Sequence, residues 1–385
     1  MKDLSECRIL IVDDIKANVD VLVQSLRSDY KLSVALDGAS ALRSVEKNPP
    51  DLVLLDIMMP GIDGYEVCRR LRASEQTRDI PVMFLTSLED VQDKARGFEI
   101  GANDYLTKPF EILEVKARVR SLVRAKAYAD AIREAREMEL SIAREIQMGI
   151  LPSDLSSCTA GTGLDIHALL EPAQQVGGDL YDVLRAGDER IVAVLGDVSG
   201  KGIPASLFMA VTMTLVRSMA RQYERPEDIL RHVSDELVTQ NPRKMFVTMG
   251  CLVYDLKSRR VTCANAGHNP VVLLRQGQPP QFVFPSTGMV AGLFPGNAVS
   301  GESLELEAED TLVLFSDGVT EAFSRDEELF GNERLLGQLA DEPGRNAQET
   351  VSSILQAVRK HASGAPQSDD ISIVAVRYSP HGRTS

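Results

Sequence analysis

Tryptophan is missing from the 385-residue chain, aromatic residues make up only 5% of it, and cysteine occurs five times. Cys7, Cys68, Cys158, Cys251 and Cys263 are scattered, odd in number and never in C-x-x-C spacing. Neither a disulfide framework nor a zinc site is expected, and reduced thiols in the cytoplasm are the default. No stretch reaches the roughly 18 consecutive apolar residues of a membrane span. The N-terminus, MKDLSECRILIVDD, lacks the apolar core of a secretory signal. The nearest span candidate, Gly202 to Val216, is interrupted by Pro204, Ser206 and two threonines and stops at Arg217, which fits a buried helix better. Positive charge is also in short supply: 42 Lys plus Arg against 56 Asp plus Glu give a net charge of −14. That balance argues against nucleic-acid or anionic-lipid partners, which need clustered basic side chains.

What is present is enough for two or three domains at roughly 150 residues each, with the apolar and charged fractions of an ordinary globular chain. Up to residue 110, apolar runs at Ile9 to Val12, Leu52 to Leu55, Val82 to Leu85 and Tyr105-Leu106 alternate with amphipathic stretches. Such runs are buried on both faces, which predicts an α/β domain with a doubly wound parallel sheet. Residues 111–150 carry 8 basic and 7 acidic side chains, with no glycine or proline before Gly149. They read as one long linker helix that Leu151-Pro152 ends. Tyr128, Ile132, Ala135, Ile142 and Ile146 follow 3 and 4 spacing, interrupted by Glu139, the seam of a short parallel coiled coil between two copies of the chain. Beyond it, strand-like runs at Ile191 to Leu195, Val247 to Tyr254, Thr311 to Phe315 and Ile371 to Val376 mix with helical stretches near 203–222, 226–240 and 346–362. This pattern suggests an α+β layered sandwich. The acidity belongs to the two ends, −5 for residues 1–110 and −10 for 151–385, against +1 for the helix.

The apolar runs of the first segment end in Asp13-Asp14, Asp56 and Thr86-Ser87, and Lys108-Pro109 follows the fourth. In an open parallel sheet, strand ends converge on one crevice. Three carboxylates there repel, and a hard divalent cation such as Mg²⁺ resolves the repulsion. One carboxylate can then act as nucleophile toward a phosphoryl group, with lysine and a hydroxyl balancing its oxygens. The V-D-D of Val12 to Asp14, the D-I-M-M-P-G-x-D-G of Asp56 to Gly64, the L-T-S of Leu85 to Ser87 and the D-Y-L-x-K-P-F of Asp104 to Phe110 resemble the response-regulator receiver family over nearly all of residues 7–125. The resemblance implies a receiver domain over 1–125 in which Asp56 accepts a phosphoryl group from a cognate histidine kinase. Asp13, Asp14, Asp56 and the Met58 carbonyl would surround Mg²⁺, Lys108 and Thr86 would contact the phosphate, and Thr86 and Tyr105 would be the switch pair.

The C-terminal segment is punctuated by Gly177-Gly178-Asp179, by Gly196 to Gly202 (G-D-V-S-G-K-G), by Ser316-Asp317-Gly318 and by Ser368-Asp369-Asp370. Aspartates at strand ends beside glycines can gather carboxylates and carbonyls around two metals about 4 Å apart, which lower the pKa of a water and clamp phosphoryl oxygens. No serine, cysteine or histidine nucleophile is needed. Together with E-I-Q-x-x-I-L-P at Glu145 to Pro152, N-A-G-H-N-P at Asn265 to Pro270, L-F-S-D-G-V-T-E-A at Leu314 to Ala322 and F-G-x-E-R-L at Phe330 to Leu335, the set resembles the PPM-type metal-dependent serine/threonine phosphatases in their SpoIIE-like (RsbU-like) branch. The resemblance implies Mn²⁺ or Mg²⁺ held by Asp179, Asp197, the Val198 carbonyl, Asp317 and one of Asp369 and Asp370, with Asp369 preferred. Ser199 and Gly200 stand where eukaryotic members of the superfamily have a histidine, so the general acid is unassigned, and His268 reads as part of a turn.

The expectation is a two-component response regulator whose phosphorylation at Asp56 controls a metal-dependent protein phosphatase. By resemblance its partner would be an anti-sigma factor antagonist of the STAS type. The alternative is an inactive phosphatase fold acting as an adaptor. A scaffold has no physical reason to keep so many mutually repelling carboxylates, which favours the enzyme.

Overall fold

The computed structural model describes residues 3–87, 97–239, 241–340 and 345–380. The chain divides into two compact units, 1–138 and 139–385.

In the first unit, β1 (Arg8–Val12), β2 (Lys31–Ala35), β3 (Leu52–Asp56), β4 (Val82–Thr86) and β5 (Asp104–Thr107) form a parallel sheet in the order β2-β1-β3-β4-β5. Alternate residues of each strand serve opposite faces. Leu10, Val12, Val53, Leu55 and Phe84 pack with Ala41 and Val45 of α2 (Gly38–Lys47) and with Val67, Cys68 and Leu71 of α3 (Gly64–Ala73). Ile9, Ile11, Leu52, Leu54 and Met83 pack with Val19, Leu22 and Leu26 of α1 (Lys16–Leu26) and with Val115, Val119 and Val123 of α4 (Ile112–Ile150). Burial on both faces is why β1, β3 and β4 are almost wholly apolar. Each such Leu, Ile or Val withdraws side-chain area worth about 1.5–3 kcal/mol.

From residue 124 onward α4 presents exposed apolar side chains, among them Tyr128, Ile132, Met138, Ile142 and Ile146. It is one helix where the sequence predicts one over 111–150.

The second unit is a sandwich of two antiparallel sheets, the architecture expected from clustered strands and helices. One has the order β13-β10-β9-β8-β7 and the other β12-β11-β14-β15-β6. The strands are β6 (Leu164–Glu171), β7 (Leu180–Arg185), β8 (Arg190–Val198), β9 (Val247–Asp255), β10 (Arg260–Ala266), β11 (Val271–Leu274), β12 (Gln281–Val283), β13 (Gly301–Glu305), β14 (Thr311–Phe315) and β15 (Ile371–Tyr378). Leu312, Leu314, Val374 and Val376 join the core shared with the first sheet. Val313, Phe315, Ile373 and Ala375 face α7 (Gly331–Ala340) and α8 (Ala347–Ala362) on the outside. On the opposite outer side, α5 (Ile203–Gln222) and α6 (Pro226–Thr239) cover the first sheet through Met209, Met213, Val216, Ile229 and Val233. The helix predicted over 226–240 is described as far as Thr239, and residue 240 lies outside the described residues.

Helix α5 is, among the described residues, the one helix with the length and hydropathy to cross a membrane. Its inner face is nonetheless packed on the sheet, while Ile203, Leu207 and Val211 are exposed.

Candidate functional site

In the first unit, the carboxyl edge of the sheet gathers Asp13 and Asp14 after β1, Asp56 at the end of β3, Thr86 at the end of β4 and Lys108 just past β5. Asp13 and Asp56 are buried and Asp14 is exposed, and one oxygen from each lies within 4.8 Å of the other two. Asp13 is oriented by the Ile15 N–H (2.9 Å) and the Asn18 Nδ2 donor (3.0 Å). Lys108 Nζ sits 2.8 Å from Asp13 Oδ2 and 2.9 Å from Asp56 Oδ2. Burial raises the Asp56 carboxyl above the usual carboxylate range and Asp13 adds to the effect, while Lys108 and the Met58 N–H oppose it. A Cβ at Gly64 would stand 2.2 Å from the Asp56 carbonyl oxygen, so only glycine lets α3 start against the end of β3. Thr86 is buried, the Met58 side chain is exposed, and the Tyr105 ring meets Phe98 edge-on at 5.6 Å. Three oxygen donors with a single lysine match what a hard divalent cation takes.

In the second unit, Asp197 lies in β8, Asp179 leads into β7, Asp317 opens a single helical turn after β14, and Asp369 and Asp370 precede β15. Gly177 and Gly178 lie against Asp370 and the Val198 carbonyl, and Gly318 lies against the backbone of Asp369 and Asp370, so the segments carrying these carboxylates meet. Burial first, then Asp317 and Asp369, push Asp197 up to about 7. Burial and then Asp197 raise Asp179 well above the usual range, and burial, Glu321 and Asp369 raise Asp317. Asp179 Oδ2 is buried with no hydrogen-bond partner among the described residues, an orphan that a cation would satisfy. Among the described residues, no three carboxylates here meet the 4.8 Å spacing of the receiver set, so this group is more open.

The glycines explain how the arms approach. A Cβ at Gly178 would fall 2.7 Å from the Val198 carbonyl oxygen, one at Gly177 1.9 Å from Asp370 Oδ2, and one at Gly318 1.9 Å from the Asp370 carbonyl oxygen. Asp370 differs from its neighbours. Its Oδ1 accepts the Ala173 N–H (2.8 Å), and its Oδ2 accepts the N–H groups of Gly178 (2.8 Å) and Asp179 (3.4 Å). Asp369 keeps an oxygen toward Lys201 Nζ at 3.0 Å, and that amine also donates to the Ser368 carbonyl.

His268 is buried, with Nδ1 2.8 Å from Thr248 Oγ1, and burial lowers its pKa to about 4. The imidazole is held inside the sandwich against Thr248, the cross-strand neighbour of Asp197.

Three residues named in the sequence carry roles that the sequence did not assign them. Gln147 of α4 hydrogen-bonds the backbone of Gly177 in both directions. Arg217 of α5 joins buried Asp182 at 2.5 Å and caps α4 through the Ile150 carbonyl at 2.8 Å. Ser316 links the two site loops, accepting from Ser372 N and donating to the Asp370 carbonyl. A buried polar partner of a distant backbone group leaves no periodic or spacing signal. Within Glu145 to Pro152 only the resemblance pointed near Gln147.

Comparison with known proteins agrees with both folds. Residues 9–120 match the response regulator receiver domain, and residues 187–379, half of the chain, match the family described as Stage II sporulation protein E (SpoIIE). The class is therefore a response-regulator receiver joined to a phosphatase fold. Within that class, the chain belongs to the SpoIIE family.

Over 128 residues it is 48% identical to Response regulator PleD of Caulobacter vibrioides, covering 33% of this chain and 28% of that protein. Over 289 residues it is 28% identical to Protein IcfG of Synechocystis sp., covering 68% of this chain and 44% of that protein. The chain thus spans less than half the length of either curated relative. Its structure is similar to the SiaA-PP2C domain of Pseudomonas aeruginosa, with a TM-score of 0.58 at 21% identity, over 64% of this chain and 99% of that one. At that identity the likeness speaks for the fold.

Proposed function

We propose that this is a cytoplasmic response regulator whose receiver, phosphorylated on Asp56 by a histidine kinase, controls protein serine/threonine phosphatase activity in residues 151–385. The observation that carries the reading is the convergence of Asp179, Asp197, Asp317 and Asp369, with Asp197 raised to about 7 and an oxygen of Asp179 orphaned. Asp179, Asp197, the Val198 carbonyl, Asp317 and Asp369 would hold Mn²⁺ or Mg²⁺, and Asp370, its oxygens engaged by backbone N–H groups, would support the Asp179 arm. When bound, such a pair of cations supplies a water of lowered pKa and a clamp for phosphoryl oxygens. Hydrolysis breaks the phosphorus–serine oxygen bond, gives inorganic phosphate and returns a proton from water to the serine hydroxyl. Gly178 keeps the Val198 carbonyl uncovered on the Asp179 side, and Lys201 holds the 368–369 loop.

In the receiver, Asp13, Asp14, Asp56 and the Met58 carbonyl would hold Mg²⁺, and Lys108 and Thr86 would balance the new phosphate. The expected substrate is a phosphorylated anti-sigma factor antagonist of the STAS type. Dimerisation through the apolar stripe of α4 would carry the receiver signal along that helix.

The test is Mn²⁺-dependent release of phosphate from a phosphoserine protein, with Asp197→Ala and Asp317→Ala abolishing it. Unchanged activity in both variants would refute the metal site. A response to a phosphoryl donor that survives Asp56→Ala would refute the control.

A further inference from the structure

Helix α4 ends beside the loop that carries Asp179. Gln147, in its last turns, is a buried polar side chain on a helix whose neighbouring Ile146 and Met148 are exposed. Its amide meets Gly177 at two points: Nε2 donates to the Gly177 carbonyl at 2.8 Å, and the Gly177 N–H donates to Oε1 at 3.1 Å. One side chain therefore pairs both the N–H and the C=O of a buried residue two positions before Asp179.

The opposite side of the same loop is held by Asp370 through Gly178 N. Between these two grips no strand or helix pairing is present, since β7 begins only at Leu180. Gln147 and Asp370 thus hold the two residues that precede Asp179, and β7 holds the one that follows it. Arg217 joins the Ile150 carbonyl at the end of α4 to Asp182 in β7, so the end of the helix and β7 share one partner.

We infer that Gln147 is a positioning residue for the cation site: it places Asp179 through the Gly177 backbone and makes metal affinity depend on how the last turn of α4 is seated. This rests on the reading of Asp179 as a metal ligand. Groups that orient ligands from outside the coordination sphere generally change metal affinity by about 10–100-fold when removed. The Gln147 amide acts one step further out, through backbone, so the lower end of that range applies.

The experiment uses the full chain with its receiver cation site disabled by Asp13→Asn throughout, and compares Gln147→Leu, Gln147→Glu and, in parallel, Asp179→Asn. Mn²⁺ is titrated directly by its electron paramagnetic resonance signal. Amide exchange over residues 177–179 is followed by mass spectrometry, and phosphatase rates are taken across Mn²⁺ concentrations. Gln147→Leu is expected to weaken Mn²⁺ binding about tenfold, to speed exchange at Gly177, and to shift the Mn²⁺ dependence while the rate at saturating Mn²⁺ recovers. A residue that only stabilises the fold would instead lower the number of binding-competent molecules and leave their affinity unchanged. Gln147→Glu keeps an acceptor for the Gly177 N–H and loses the donor to its carbonyl, so it should weaken binding as well; it supplies the reading if the leucine variant does not fold.

Mn²⁺ affinity within twofold of the wild type in a folded Gln147 variant, while Asp179→Asn has lost binding, overturns this inference alone. Undiminished binding in Asp179→Asn overturns the metal reading on which it stands.

Discussion

Gly177→Ala places a methyl group where the structure has no room for one. The added Cβ would lie 1.9 Å from Asp370 Oδ2 and 2.5 Å from its Cγ. Asp370 is not a flexible tip that can swing aside. Both its oxygens are engaged, at 2.8 Å by Ala173 N and at 2.8 Å by Gly178 N, and its carbonyl abuts Gly318. Displacing the carboxylate breaks two charge-assisted hydrogen bonds, each worth about 1.5–3 kcal/mol, and strands their buried donors. Allowing for non-additivity and partial relaxation, the expected loss is about 3 kcal/mol.

Gly149→Ala is the natural control. It lies within α4, nothing stands within 4 Å of its Cβ position, and a helix gains about 0.5–1 kcal/mol from the same change. Urea unfolding followed by circular dichroism, with limited proteolysis assigning the transition to residues 139–385, measures both variants. The expected result is a lowered midpoint for Gly177→Ala and an unchanged or raised one for Gly149→Ala. Gly177→Ala unfolding within about 0.5 kcal/mol of wild type would show that Asp370 yields freely, and the account of that loop would be wrong.

Asp369 and Asp370 should separate in the same assay. Asp370→Ala is expected to destabilise the second unit by about 2–4 kcal/mol by leaving buried N–H groups unpaired, whereas Asp369→Asn should leave its midpoint unchanged and weaken Mn²⁺ binding. Equal effects of the two on unfolding would contradict the different environments of their carboxylates. In chelator-treated protein, Asp197 has a folded pKa of about 7 against 3.8 in the unfolded chain, so the folded state holds its proton more tightly. The stability of the second unit should therefore fall as pH rises from about 4 to 7, and Asp197→Asn should flatten that slope; an identical pH profile in the variant would exclude Asp197 as its source. Removing divalent cations should lower the thermal midpoints of both units by mass action, a shift reversed by adding Mn²⁺. Midpoints indifferent to chelator and to added Mn²⁺ would argue against both cation sites.

The readability of this fold from sequence follows from which faces its strands bury. β1, β3, β4, β14 and β15 are covered on both faces, so their apolar runs stood out at or within two residues of their bounds. β2, Lys31–Ala35, is an edge strand with only Ala35 buried, and β13, Gly301–Glu305, has no buried residue, so neither carries a hydrophobic signature. The site was legible where an aspartate ends an apolar run, as at Asp56, or adjoins a glycine there, as at Asp197 and Asp317. The differing fates of Asp369 and Asp370 were not, because they depend on whether a backbone N–H from another loop reaches the carboxylate. Gln147 was hidden for the same reason: one amide among the charges of a long helix has no chemistry until Gly177 folds against it.

The pairing of β15 with β6 has a consequence for synthesis. Leu164 lies opposite Tyr378, and β15 sits inside its sheet between β6 and β14. On the ribosome, the receiver can close once its own strands and the start of α4 have emerged. The second unit must wait, its apolar faces uncovered, until residue 378 leaves the exit tunnel. Asp369 and Asp370 arrive with that same final strand, so a nascent chain can carry a finished receiver well before it can hold a finished cation site.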